Sequence, residues 1–449
     1  MSRMFGTDGV RGIANEELTP DLAMKLGEAG AYVLSRQSGH RPVILVGCDT
    51  RLSGDMLAHA LMAGICAVGA DAVYLGVLPT PAVAYLARAH KADAGVVISA
   101  SHNPMEFNGI KFFDGQGFKL PDAVEDEIEA LIRNNMEGVY FPTGENVGRV
   151  TDEQEWVEEY IEHTLELVHP DLTGLRLVID CAEGAAYHTS TEALRRLGAE
   201  VIALHIDPDG TNINKNCGST HMEELQERVV KEKAVMGLAF DGDADRFLAV
   251  DEKGELVDGD RIMSVVGAHM KEQGRLRGDT ITVTVMSNLG MHLMAEREAI
   301  HLEQTKVGDR YVLERMLEIG GTLGGEQSGH IIFLDENTTG DGLLSALHLL
   351  EVMVDKKKPL SELADIMQVL PQALVNAKVP NDRKDRYMEY PEIAEACKAL
   401  EEKFAGRGRV LIRPSGTEPL VRVMIEGENQ EQIEQEANAL ARLICHVLN

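Results

Sequence analysis

Short runs of apolar and β-branched residues alternate along the chain with longer stretches of helical periodicity. In the first third the runs are 43–46, 72–75 and 95–98; in the second they are 175–179, 201–204 and 235–240. The third group comprises 280–285, 300–302, 322–323 and 330–333. Many of these runs end in Gly, Asp, Ser or Asn, residues that stop a strand at a turn. Such alternation predicts an α/β fold, with mixed, mostly parallel sheets covered by helices on both faces. Three groups of about 100–150 residues predict three related domains. The last part reads differently, with strands over 373–379, 410–413 and 421–426 and helices over 391–404 and 430–447. That is the pattern of a smaller C-terminal α+β domain, following a Lys356-Lys357-Lys358-Pro359 break and a helix running to about Val369. Acidic helical connectors at 122–134 and 152–168 lie between the first two domains. The expected domains are therefore 1–150, 151–253, 254–369 and 370–449.

Composition narrows the class of partner. Of 449 residues, 44% are apolar, as in ordinary globular proteins with sizeable cores. Lys plus Arg number 43 against 73 Asp plus Glu, a net charge of -30 that disfavours nucleic acid and anionic membranes. Any anion site must therefore concentrate its cations locally. The six cysteines (48, 66, 181, 217, 397 and 445) show no C-x-x-C spacing and read as small core residues in a reducing compartment. The start, Met1 to Gly6, lacks a signal-peptide pattern, and the greasiest stretch, 57–78, is broken by His59 and Asp71. A soluble, cytoplasmic location is expected.

Four polar loops carry the candidate chemistry. Ser99-Ala100-Ser101-His102-Asn103-Pro104 follows the run 94–98 and sets two hydroxyls and an imidazole at a strand's carboxyl end, where open α/β sheets bind ligands. By itself such a Ser serves equally as a nucleophile or a helix cap. The next positions, Asn108-Gly109-Ile110-Lys111, read as a flexible joint and a cation. Asp241-Gly242-Asp243-Ala244-Asp245-Arg246 again follows a strand-like run. Its alternating carboxylates repel one another unless a cation lies between them, and a hard divalent ion meets that demand. An EF-hand is the competing reading, with Glu252 at the twelfth position. However, Arg246 holds the place of the required glycine and no helices flank the loop. Arg246 suits a site that also holds an anion, or else pairs with its neighbours. Gly324-Gly325-Glu326-Gln327-Ser328-Gly329-His330 offers hydrogen-bonding groups for sugar hydroxyls between glycines that permit close approach, or is a polar hairpin with a surface His. Arg413-Pro414-Ser415-Gly416-Thr417-Glu418-Pro419, with Arg422 beyond, resembles a phosphate cradle, or a turn with surface arginines. No Walker loop occurs, so nucleotide is not implied. Two weaker loops, 6–12 and 47–51, offer Arg11 and Arg51. Together the loops describe phosphoryl transfer on a phosphorylated sugar, in a cleft between domains. A Ser hydrolase would need a G-x-S-x-G elbow, which is missing, and a non-catalytic phosphosugar binder would not need Ser101.

Residues 99–104, 241–246, 325–330 and 413–418 resemble, in order, the four signatures of the α-D-phosphohexomutases, and the resemblance covers essentially the whole chain. It implies a phosphoserine at Ser101 as phosphoryl donor. One Mg²⁺ per subunit would be bound by a phosphoserine oxygen with Asp241, Asp243 and Asp245. Phosphoserine and three carboxylates bring about five negative charges, for which Arg246, Arg11 and Lys111 are the remaining balance. Arg413, Ser415, Gly416, Thr417 and Arg422 would hold the substrate phosphate; Glu326 and Ser328 would grip the sugar, and Lys111 or His330 would move the hydroxyl proton. The loop 6–12 and Gln327 are most similar to the amino-sugar branch. The implied reaction therefore interconverts glucosamine 6-phosphate and glucosamine 1-phosphate through a 1,6-bisphosphate, supplying amino-sugar nucleotide and cell-wall precursor synthesis. The alternative is glucose or mannose phosphate with the same mechanism. Closure of the small fourth domain and a homodimer through the first domain are further expectations from the resemblance.

Overall fold

The computed structural model describes residues 3–6, 8–36, 39–405, 408–415 and 418–449. It divides into two units, 1–286 with 299–366 and 287–298 with 367–449. The first unit holds three mixed sheets. One has strands β1 (Val10–Ile13), β2 (Val43–Cys48), β3 (Asp71–Val77), β4 (Ala94–Ile98), β5 (Phe107–Asp114) and β6 (Val150–Asp152), in the order β1-β5-β4-β2-β3-β6. The second has β7 (Arg176–Asp180), β8 (Glu200–Leu204), β9 (Met236–Phe240), β10 (Phe247–Asp251) and β11 (Leu256–Val257), ordered β11-β10-β9-β7-β8. A third has β12 (Thr280–Thr284), β13 (His301–Thr305), β14 (Leu323–Gly325) and β15 (Ile331–Phe333), ordered β13-β12-β14-β15.

One step recurs in all three sheets. A strand parallel to its inner neighbour (β4 on β2, β9 on β7, β14 on β12) is followed by an antiparallel return, β5, β10 or β15. The connecting turn leaves the carboxyl end of the parallel strand, and the first three polar loops are these turns. Strands β4 and β9 are buried at every residue, which is why they read as continuous apolar runs rather than alternating ones.

Helix 20–35 starts at Thr19, whose Oγ1 accepts the Leu22 N–H at 3.2 Å, with Pro20 in the first turn. It lies against helix 53–67 closely enough that a Cβ on Gly64 would meet Met24 O at 2.0 Å, and one on Gly27 would meet Leu61 O at 2.2 Å. Helix 342–356 is capped by Asp341, which accepts the Leu344 N–H at 3.0 Å.

The segment 108–111 corrects the sequence reading. It is the middle of β5, pairing Lys111 with Val97 and Ile110 with both Ile98 and Val10. Asn108 is fully buried and donates to Ser53 Oγ at 2.9 Å. A Cβ on Gly109 would meet Ser99 O at 2.5 Å, so glycine serves close strand approach here rather than flexibility. The helix expected to reach Val369 stops at Ala364.

The second unit has a three-stranded antiparallel sheet, β16 (Gln372–Lys378), β17 (Gly408–Pro414) and β18 (Leu420–Gly427), ordered β16-β18-β17. Helices 391–404 and 430–448 contribute Ile393, Phe404, Ile433 and Ile444 to its core with Val421, Val423 and Ile425. No described helix is long and apolar enough to cross a membrane.

Candidate active site

Ser101 sits in the turn after β4 with φ +52°, the left-handed region, and its surroundings fix that backbone. The Arg51 side chain is wholly buried and clamps the loop. Its guanidinium donates to the carbonyls of Ser101 (2.9 Å), Asn103 (2.8 Å) and Pro104 (2.5 Å), while Nε meets Asp49 Oδ2 at 2.9 Å. Asp49 also accepts from Ser99 Oγ at 2.6 Å, and Ser99 Oγ accepts the Ser101 N–H at 3.0 Å. From the second sheet, Asn214 Nδ2 donates to Ser101 O at 2.8 Å. Arg51, offered by the sequence as the cation of a weaker loop, is thus a structural brace.

The carboxylate loop is the β9–β10 turn, and its first oxygen meets the serine: Ser101 Oγ donates to Asp241 Oδ2 at 2.6 Å. Asp243 Oδ2 accepts from Lys111 Nζ and Thr80 Oγ1, both at 2.7 Å. Ligand atoms from Asp241, Asp243 and Asp245 lie within 4.8 Å of one another, all three residues are buried, and Asp243 Oδ1 and Asp245 Oδ1 have no hydrogen-bond partner. Orphaned, converging carboxylate oxygens fit a hard divalent cation. Burial together with Asp245 and Asp243 drives the Asp241 carboxyl well above its ordinary range. Burial acts the same way on Asp245, yet His330, Lys111 and Arg246 overcome it and hold that carboxyl low.

Around the triplet runs a closed ring of alternating acidic and basic side chains drawn from all three sheets. Lys111 Nζ lies 2.7 Å from Asp243, 4.0 Å from Asp245 and 2.9 Å from Asp8. Asp8 contacts Lys119 at 2.6 Å, and Lys119 pairs with Asp309. Asp309 lies 3.6 Å from His330 Nε2, and His330 Nδ1 lies 3.4 Å from Asp245. Burial lowers the Lys111 ammonium's affinity for its proton, but Asp243, Asp8 and Asp245 reverse this and raise it above its ordinary range. His330 is likewise raised by Asp245 and Asp309 against burial, and Nε2 accepts the Gly340 N–H at 3.1 Å. The loop is a hairpin between β14 and β15, but at 2% exposure His330 is buried in it rather than on the surface.

The remaining expected residues vary in placement. Arg11, on β1, is exposed and pairs with Asp8. Arg246 Nη1 lies 3.2 Å from His102 Nδ1, which is 3.3 Å from Ser101 Oγ. Burial, Arg246 and Arg11 pull His102 down to about 4, so it is neutral at physiological pH. Glu326 Oε1 accepts the Gly308 N–H at 3.0 Å, and Ser328 is exposed. The 326–330 turn is stitched to the carboxylate loop by Phe247 N–H donating to Gly329 O at 3.0 Å and by an Arg246–His330 bridge. Thus the structure brings together Ser101, the three aspartates, Lys111, Arg246 and His330. Sequence reasoning missed Asp8, Lys119, Asp309, Asn214 and the orientation of His102; only Asp8 and His102 lay inside loops it had singled out.

In the second unit, Arg413 on β17 and Arg422 on β18 are direct cross-strand partners. Burial and Arg422 lower the Arg413 guanidinium's hold on its proton. Arg422 donates to Glu418 at 2.9 Å, and Ser415 Oγ accepts the Glu418 N–H at 3.2 Å. Like charges opposed across a ladder are costly without an anion between them. Gly416 and Thr417 lie outside the described residues.

Models of the phosphoglucomutase/phosphomannomutase family match in series: alpha/beta/alpha domain I over 2–138, domain II over 158–254, domain III over 258–370 and the C-terminal domain over 374–443. A phosphoglucosamine mutase of Clostridium novyi (strain NT) is 61% identical over 444 residues, covering 99% of each chain. Among solved structures, a phosphoglucomutase/phosphomannomutase family protein from Burkholderia thailandensis superposes with a TM-score of 0.82 at 24% identity, covering 100% of this chain and 99% of that one. An Aspergillus fumigatus N-acetylphosphoglucosamine mutase, solved with GlcNAc-6P and magnesium, gives a TM-score of 0.69 at 16% identity, covering 99% and 96%.

Proposed function

The chain belongs to the phosphoglucomutase/phosphomannomutase family, and from that premise we propose that it interconverts glucosamine 6-phosphate and glucosamine 1-phosphate through a phosphoserine at Ser101. The observation that carries this reading is the 2.6 Å contact between Ser101 Oγ and an aspartate of the carboxylate triplet. Identity of 61% to a phosphoglucosamine mutase favours the amino sugar over glucose or mannose. Asp241, Asp243 and Asp245, with a phosphoserine oxygen, would hold Mg²⁺, which supplies neutralisation of the transferring phosphoryl group when bound.

In the first half-reaction the Ser101 O–P bond breaks as the sugar's free hydroxyl forms its own O–P bond. The hydroxyl proton crosses the site and ends on Ser101 Oγ. The resulting 1,6-bisphosphate turns over, and its other phosphate returns to Ser101. Lys111, held charged by its carboxylates, stabilises the transferring group electrostatically rather than taking a proton. His330, turned toward Asp245, positions the triplet. Arg246, 3.2 Å from His102, binds a phosphate oxygen beside Ser101. Glu326 and Ser328 bind sugar hydroxyls, and Arg413, Ser415, Gly416, Thr417 and Arg422 hold whichever phosphate is not reacting. A homodimer through the first domain goes with this reading; light scattering in solution tests it.

Intact-mass analysis is expected to show partial addition of one phosphoryl group, lost in Ser101→Ala together with turnover. Retained turnover in that variant overturns the proposal. EDTA is expected to abolish activity and Mg²⁺ to restore it. Parallel assays with the 1-phosphates of glucosamine, glucose and mannose decide the sugar.

A further inference from the structure

A second cluster of potential ligands lies at the carboxyl ends of β7 and β8. Asp180 closes β7, His205 follows β8 directly, and Cys217 ends the loop that carries Asn214. Their ligand atoms lie within 4.8 Å of one another. We propose that Asp180, His205 and Cys217 form a structural site for a thiophilic divalent ion of the zinc class, sharing no residue with the carboxylate triplet.

The donor set distinguishes the two sites. Three carboxylates suit a hard ion, whereas a thiolate, an imidazole and a carboxylate suit tetrahedral zinc or cobalt. Geometry points the same way. His205 Nδ1 comes within 3.0 Å of Asp180 Oδ1, in an approach that falls outside hydrogen-bond geometry. Two ligands each about 2.0 Å from one tetrahedral ion sit about 3.3 Å apart, so this off-line approach is close to a ligand-to-ligand edge.

The surrounding groups complete the pattern. Asp180 Oδ1 accepts the Ala182 N–H and Oδ2 the Gly218 N–H, both at 2.9 Å, leaving a lone pair on each oxygen. His205 Nε2 faces Glu224 Oε2 at 3.5 Å, the outer carboxylate that commonly orients a metal-bound imidazole. Glu183 N–H donates to His205 O at 2.9 Å, which ties the two loops together beside the cluster. A simple His–Asp ion pair would account for His205 and Asp180 but not for a thiol, 1% exposed, among three acids. Burial and those acids push the Cys217 thiol up to about 12. Coordination would release its proton to solvent. The ion would brace the loop from 205 to 217, through which Asn214 holds the Ser101 carbonyl.

The test uses the full chain, stripped with EDTA, saturated with Mg²⁺ to fill the carboxylate triplet and titrated with Co²⁺ alone. One equivalent should bind with a sulfur-to-cobalt charge-transfer band in the near ultraviolet, a signature no all-oxygen site produces. Cys217→Ser should lose the band, and Glu224→Gln should weaken binding by about 10- to 100-fold. Absence of the band in the wild-type chain overturns the proposal, as does a band that survives Cys217→Ser. Should that variant fail to fold, the wild-type band and its stoichiometry decide the matter alone.

Discussion

Arg51 shows how much of the catalytic geometry rests on a side chain remote from the chemistry. It touches no reacting atom, yet it fixes the carbonyl directions of Ser101, Asn103 and Pro104. Arg51→Met should lower turnover by about 100-fold through misplacement of the serine. It should also cost about 3–5 kcal/mol, measured by urea unfolding, because Asp49 is left buried without its cation. A second residue-scale expectation concerns pH. Glu351 is held at about 2 by His348, 3.5 Å away, and by Arg275, while Glu336 and Glu351 raise His348 above its ordinary 6.5 against burial. The Glu351 contribution is present above its ordinary 4.5 and is lost as pH falls toward 2. The His348 contribution is complete below 6.5 and is lost as pH rises through its folded value. The stability difference between wild type and His348→Phe, by denaturation at several pH values, should therefore be largest between about 4.5 and 6.5. Such pairings were not legible in the sequence. Ser101 and the aspartates stood out because they cluster along the chain, whereas Arg51, Asp49 and Asn214 meet only after folding.

Elements were read best where burial made them uniform. Strands β4 and β9 are apolar throughout, and both were recognised, together with the polar turns that follow them. Strand β5 was missed because Asn108-Gly109 has the composition of a turn, although both residues are used for close packing between strands. Strand β1 was hidden similarly in the glycine-rich 6–12 segment. Helix pairing carries its own expectation. Gly64 leaves no room for a methyl group against Met24 O, so Gly64→Ala must separate helices 20–35 and 53–67. A loss of about 1–3 kcal/mol, seen as a lower Tm, is expected. Equal stability would mean that the two helices can slide apart without cost.

At the scale of the whole molecule, the ring Lys111–Asp8–Lys119–Asp309–His330–Asp245 ties the three sheets of the first unit together. Nothing along the chain announces it, since Lys119 and Asp309 are separated by 190 positions and neither belongs to a motif. Lys119→Met leaves Asp8 and Asp309 facing each other without their shared cation. A destabilisation of about 3–5 kcal/mol by urea unfolding is expected. Mg²⁺ titration monitored by calorimetry should still detect the triplet in the folded variant. The ring also distributes its members unevenly. A cut near residue 170 would leave Lys111 and Lys119 on one polypeptide and Asp243, Asp245 and Asp309 on the other. The contacts Lys111–Asp243, Lys111–Asp245 and Lys119–Asp309 would then span the two halves and form only when they meet. Nicked or co-expressed halves should reassemble and co-elute on gel filtration, with added salt speeding their encounter because both halves are acidic overall.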